Sequence, residues 1–96
     1  MADPRQAEAL VEERKRQAEL AESDLRDARA HTFETERRWL EAEDEWQKAR
    51  LRSYMRQARD CERQLENMRV VALRKLIEAK ANLYHSRLAK ESGHLR

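Results

Sequence analysis

Apolar residues recur at alternating spacings of four and three along the first third of the chain. Ala7, Val11, Ala18, Ala21, Leu25 and Ala28 share one register, with Arg14 and Thr32 in the same series. Trp39, Ala42, Trp46 and Ala49 continue it. This spacing places one narrow apolar seam on a helix. The seam is mostly alanine and holds a charge at Arg14. It buries little area and, at roughly 25 cal/mol per Å², makes a poor self-dimerising zipper. The last third differs. Leu65, Met68, Ala72, Leu76, Ala79 and Leu83 form one stripe, and Val70, Leu73, Ile77, Ala81, Tyr84 and Leu88 form a second beside it. Together they predict a broad apolar face with room for two neighbours.

Helix boundaries are marked at both ends. Asp3, Pro4 and Gln6 read as an N-cap, a proline at the first helical position and a capping-box partner. Ser92 and Gly93 read as a C-terminal stop. Between Arg5 and Ser92 there is neither Gly nor Pro, and strong helix formers dominate. An unbroken helix over that span would reach about 130 Å, so the chain bends or is laid on a scaffold. The β-branched and aromatic stretch His31–Thr35 predicts a break, with Thr32 or Thr35 as a cap. A second candidate break lies near Ser53. The predicted class is all-α: extended long helices, as a helical hairpin or a bent helix, with no compact globular core. The expected segments are an acidic helix over 1–31, a Trp-bearing helix ending in a basic run over 32–60, an apolar-faced docking helix over 61–92, and a tail over 93–96.

Composition narrows the function. The chain has 96 residues, of which 42% are charged and 5% aromatic, and 14 are alanine. Such a chain cannot enclose a deep core and line an active-site pocket as well. One Gly and one Pro argue against turn-rich β folds and a Rossmann unit. No run approaches the roughly 20 apolar residues of a membrane span, and none near Met1 resembles a signal peptide. The lone Cys61 fits a reducing compartment. A cytoplasmic or cytoskeletal protein is expected. The net charge of +2 conceals a split. Residues 1–48 hold 9 basic and 14 acidic side chains, and residues 49–96 hold 12 and 5. The two halves would lie side by side, or the basic half would face an acidic partner.

Candidate chemistry is sparse. Glu41, Glu43, Asp44 and Glu45 cluster between the tryptophans, but acid–base work needs a pocket that shifts their pKa values. A solvated or partner-facing helix, with Asp44 placed to pair with Lys48, is expected instead. His31, His85, His94 and Cys61 lack zinc-ligand spacing, and no Gly-rich phosphate loop exists. No catalytic residue, metal or cofactor is expected. Lys48, Arg50, Arg52, Arg56 and Arg59 form an acid-free basic run that pairs with the acidic half, an acidic protein, or nucleic acid or membrane phosphates. No aromatic module for base stacking accompanies it. Trp39 and Trp46 are seven apart, which would put both on one helical face as anchors.

Arg63–Leu88 reads RQLENMRVVALRKLIEAKANLYHSRL. Its skeleton of Arg63-Gln64-Leu65, Met68-Arg69, Ala72-Leu73, Leu76-Ile77-Glu78, Tyr84 and Leu88 resembles a helical motif of the cilia- and flagella-associated protein 141 family. These are small microtubule inner proteins of axonemal doublets. The resemblance implies a non-enzymatic, helical protein lining the A-tubule lumen of a cilium or flagellum. Its partners would be tubulin and neighbouring luminal proteins, with no small-molecule substrate and no membrane. Leu65, Met68, Arg69, Leu73, Leu76, Ile77, Glu78, Tyr84 and Leu88 would dock. Trp39, Trp46, Arg50, Arg52, Arg56 and Arg59 join them as partner-binding candidates from the residue reading. A generic coiled-coil subunit or adaptor of another cytosolic complex is the alternative, and a basic-helix nucleic-acid binder is the third reading.

Overall fold

The computed structural model describes residues 3–94. Two long helices, α1 (Pro4–Glu41) and α2 (Glu45–His94), account for nearly all of them, and no strand occurs among the described residues. The all-α expectation is met. Asp3 caps α1: its Oδ1 accepts the Arg5 N–H at 3.1 Å, and its carbonyl accepts the Ala7 N–H at 3.0 Å. Pro4 then occupies a position where a missing N–H costs nothing.

The chain groups into two compact units. Unit 2 (Ala21–Arg69) holds the end of α1, the connection and the start of α2. Its helices run antiparallel, because the connection is only residues 42–44. The Ala42 N–H reaches back to the Trp39 carbonyl at 3.3 Å, tightening the last turn of α1. Asp44 caps α2, accepting the Trp46 N–H on Oδ1 at 3.3 Å and the Lys48 N–H on its carbonyl at 3.0 Å. Leu25, Thr32, Thr35, Met55 and Ala58 are the buried residues of this unit. Three ion pairs cross between its helices: Arg29–Glu66 at 3.3 Å, Arg59–Glu36 at 3.0 Å and Arg69–Glu22 at 3.6 Å.

Unit 1 (Met1–Leu20 with Val70–Arg96) pairs the start of α1 with the end of α2. Ala7, Val11, Ala18 and Ala79 are buried in it, and Arg87 meets Glu8 at 3.2 Å. Among the described residues the buried groups are few in both units, and no side chain is wholly enclosed. Each unit is a two-helix pair without a globular core, zipped by a thin seam that is alanine-rich in unit 1 and mixes Leu25, Met55 and Ala58 with two threonines in unit 2.

The structure corrects the expected segmentation. No break occurs at His31–Thr35. Thr32 and Thr35 are buried in the seam, and their hydroxyls donate to the Ala28 and His31 carbonyls at 3.1 and 2.9 Å. That back-bonding satisfies each hydroxyl inside the helix. Nor does α2 break at Ser53 or at residue 61. The chain turns at 42–44 instead. The acidic cluster therefore straddles this turn, with Glu43 and Asp44 in it and Glu41 and Glu45 at the helix ends, and Lys48 pairs with Glu45 at 3.9 Å in place of Asp44. At the C-terminal end, helix continues through Ser92 and Gly93 to His94. Leu95 and Arg96, part of the expected tail, lie outside the described residues.

Candidate functional site

In unit 2, one helical stripe of α2 carries Arg52, Arg56, Arg59 and Arg63 at spacings of four and three. All four are exposed. Arg26 and Arg29 come to the same side from α1. Arg29, Arg59 and Arg63 line an open groove of about 570 Å³ with Phe33, Glu36, Glu62 and Glu66. Arg26 and Arg29 line the adjoining groove with Glu22 and Arg69. These six arginines and Arg69 thus share this side with four carboxylates, Glu22, Glu36, Glu62 and Glu66, of which Glu36 is engaged by Arg59, Glu66 by Arg29 and Glu22 by Arg69. Phe33, 70% exposed, stands among them as an apolar contact. Guanidinium forks in a row match carboxylates on a protein surface.

The predicted basic run is thereby divided. Arg52, Arg56 and Arg59 are on the arginine face. Lys48 is half-buried in the register that faces α1. Arg50 belongs to another groove, lined by Arg38, Ala42, Trp46, Gln47, Leu51 and Tyr54. There its guanidinium sits 5.3 Å from the Trp46 ring and 5.9 Å from the Tyr54 ring, and Nε donates to the Tyr54 hydroxyl at 3.2 Å. Two aromatic faces hold this side chain in place.

The tryptophans part company as well. The turn at 42–44 puts Trp39 in α1 and Trp46 in α2, so they do not share one helical face. Trp39 is half-buried, with Nε1 enclosed and unpartnered, whereas Trp46 is 64% exposed. Trp39 anchors the seam, and Trp46 is available to a partner.

The docking candidates of α2 divide in the same way. In unit 2, Leu65 and Arg69 are half-buried and Met68 is exposed. Arg69 serves the hairpin, bridging Glu66 at 3.1 Å and Glu22. In unit 1, Leu73 and Leu76 are half-buried, while Ile77, Glu78, Tyr84 and Leu88 are exposed. The first predicted stripe, apart from Met68, is thus used internally. The second stripe, apart from Leu73, stays open to a partner.

Electrostatics add one perturbed pair, at the end of α1. Arg37 donates from Nε and Nη2 to the two oxygens of Glu34 and from Nη1 to Glu41 at 2.8 Å. The hydrogen bond from Arg37 holds the Glu34 carboxyl below its usual range, and Glu34 in turn raises the Arg37 guanidinium. This pair is exposed and stabilises the helix end. Among the described residues no cluster of His, Cys, Asp and Glu could hold a metal, and no helix is long and apolar enough to cross a membrane.

Sequence reasoning missed Arg26, Arg29, Arg63 and Phe33. The spacing of Arg52, Arg56, Arg59 and Arg63 was legible on α2. The contribution of α1 was not, because it depends on where the chain turns. No family model, curated protein or solved structure matches the chain.

Proposed function

We propose that this chain is a structural, non-enzymatic binding protein, and specifically a microtubule inner protein of axonemal doublets. In this reading it lies in the A-tubule lumen of a cilium or flagellum, where it binds tubulin and neighbouring luminal proteins and stiffens the lattice. The observation that carries the reading is the arginine face of unit 2, with Phe33 set in it. The tubulin wall is largely acidic, and a row of exposed guanidinium groups complements it. The thin seam supports the same reading, since a chain with so little buried apolar surface gains order from a scaffold. The motif in Arg63–Leu88 supplies the choice of the axoneme among acidic assemblies.

A second reading is a coiled-coil subunit or adaptor of another cytosolic complex. The exposed stripe of α2 in unit 1 favours it, because that stripe fits another helix. Binding to doublet microtubules stripped by high-salt washing separates the two. The proposed function predicts saturable co-sedimentation with doublets. An adaptor of another complex would remain in the supernatant, and a nucleic-acid binder would instead give a salt-dependent gel shift.

A further inference from the structure

Two of the chain's serine and threonine residues have an arginine three positions before them: Thr32, after Arg29, and Ser53, after Arg50. The structure separates the two. Thr32 is 6% exposed, and its hydroxyl donates to the Ala28 carbonyl. Ser53 is exposed on α2. Arg50 precedes it by three residues and Arg56 follows it by three, so both are its neighbours on the helix surface. Among the described residues neither guanidinium is held by a carboxylate. Arg50 donates to the Tyr54 hydroxyl and lies near two aromatic rings, whereas the nearby Arg59 and Arg63 pair with Glu36 and Asp60. Ser23, also exposed, stands instead between Glu22 and Asp24, with Glu19 and Asp27 one turn away.

We infer that Ser53 is a phosphorylation site whose phosphate is clasped by Arg50 and Arg56. Arg50 and Arg52, three and one residues before the hydroxyl, form the basic pattern that kinases with acidic substrate grooves select. The phosphoryl donor is ATP. The bond from Ser53 Oγ to the γ-phosphorus forms as the bond from that phosphorus to the bridging oxygen breaks. The hydroxyl proton passes to the kinase's base, and ADP leaves. The kinase receives the segment unwound, and a helix pair with so thin a seam opens locally to present it. Once made, the phosphate carries a charge of about −1.5 to −2 and three acceptor oxygens. Charge-assisted hydrogen bonds from Arg50 and Arg56 then hold it, and Arg50 leaves the Trp46 and Tyr54 rings to make its share. Arg56 belongs to the arginine face, so the modification cancels positive charge there. The consequence, which rests on the proposed function of that face, is that phosphorylation of Ser53 releases the acidic partner.

The test incubates the full chain with ATP, magnesium and a protein kinase that selects arginine three residues before serine, and maps the product by mass spectrometry. The expected product carries phosphate on Ser53. Ser53→Ala blocks its addition, and Arg50→Gln slows it roughly tenfold, the loss of one charged hydrogen bond in the kinase groove. Phosphate on a different residue, or none, overturns the site. In a phosphorus NMR titration the phosphoserine should ionise below its ordinary value of about 6, and Arg56→Gln should move it back toward that value. A midpoint at the ordinary value in both chains overturns the clasp. Release is read with poly-glutamate as the acidic probe at low salt. The phosphorylated chain should bind it roughly fivefold more weakly than the parent. Equal binding, or none by either chain, overturns the release. Poly-glutamate involves no microtubule, so a parent chain that binds it but fails to sediment with doublets overturns the proposed function and not this regulation.

Discussion

The carboxylate of Asp44 accepts the backbone N–H of Trp46 at 3.3 Å, and this N-cap turns the chain between its two long helices. Without a Gly or Pro at 42–44, the turn depends on that side chain satisfying an otherwise orphaned donor. Glu45 in the first turn of α2 adds a favourable interaction with the helix dipole.

Asp44→Ala should therefore destabilise the hairpin by about 1 kcal/mol. On heating, followed by circular dichroism, the variant should lose its helix at lower temperature than the parent. Asp44→Asn keeps a capping oxygen and should melt near the parent. Equal melting of parent and Ala variant would show that the turn is held by other means.

The turn was legible in principle. Asp44-Glu45-Trp46-Gln47 repeats the Asp-x-x-Gln arrangement of Asp3-Pro4-Arg5-Gln6, which correctly marked the start of α1. The acidic neighbours of Asp44 disguised it as part of a charged helix face. Thr32 and Thr35 misled in the opposite sense. Their low helix propensity suggested a break, but small side chains that back-bond to the helix suit a close-packed seam. The seam of α1 itself was read correctly from Ala7 to Trp39 by its spacing, apart from Thr35. Beyond the turn the same series lost its meaning, which is why Trp46 and Ala49 are exposed. The arginine face needed the turn to be known before Arg26 and Arg29 could be placed beside α2.

Leu25 is 3% exposed and is one of the few large apolar groups in the seam. Leu25→Ala should cost about 2–5 kcal/mol, a large share of the stability of such a thin hairpin. The isolated parent should already lose helix gradually on heating, and the variant should be mostly unfolded at 25 °C by far-ultraviolet circular dichroism. A sharp parent transition above about 70 °C, beyond the usual mesophile range, would contradict the thin-seam account.

The two tryptophans should report different surroundings. With Trp46→Phe, the remaining Trp39 emission should be blue-shifted and resist quenching by iodide. With Trp39→Phe, the remaining Trp46 should emit near the fully hydrated limit and quench readily. Similar spectra from both variants would contradict the separation of the two rings by the turn.

Glu34 gives a pH signature. Its folded-state pKa is lowered by the Arg37 hydrogen bond, relative to a usual value of 4.5. The pair therefore contributes fully above the unfolded pKa, and its contribution is lost as pH falls through the lowered folded value. A carbon-detected titration of the Glu34 carboxyl should show a midpoint below 4.5, and Arg37→Gln should move it back up. An unchanged midpoint in that variant would show that Arg37 is not the cause. Solvent screening of this partly exposed pair keeps the effect on overall stability small.

The proposed function rests on binding of an acidic microtubule wall by the arginine face of unit 2. Its most direct test is co-sedimentation with salt-washed doublet microtubules across a salt series, comparing the parent with Arg52→Gln, Arg56→Gln, Arg59→Gln and Arg63→Gln combined. Gln nearly preserves helix propensity, and circular dichroism should confirm retained helicity. The account predicts at least tenfold weaker binding at low salt and a flatter salt dependence for the fourfold variant, with Arg50→Gln alone close to the parent. Equal binding of parent and fourfold variant at low salt would contradict the claim.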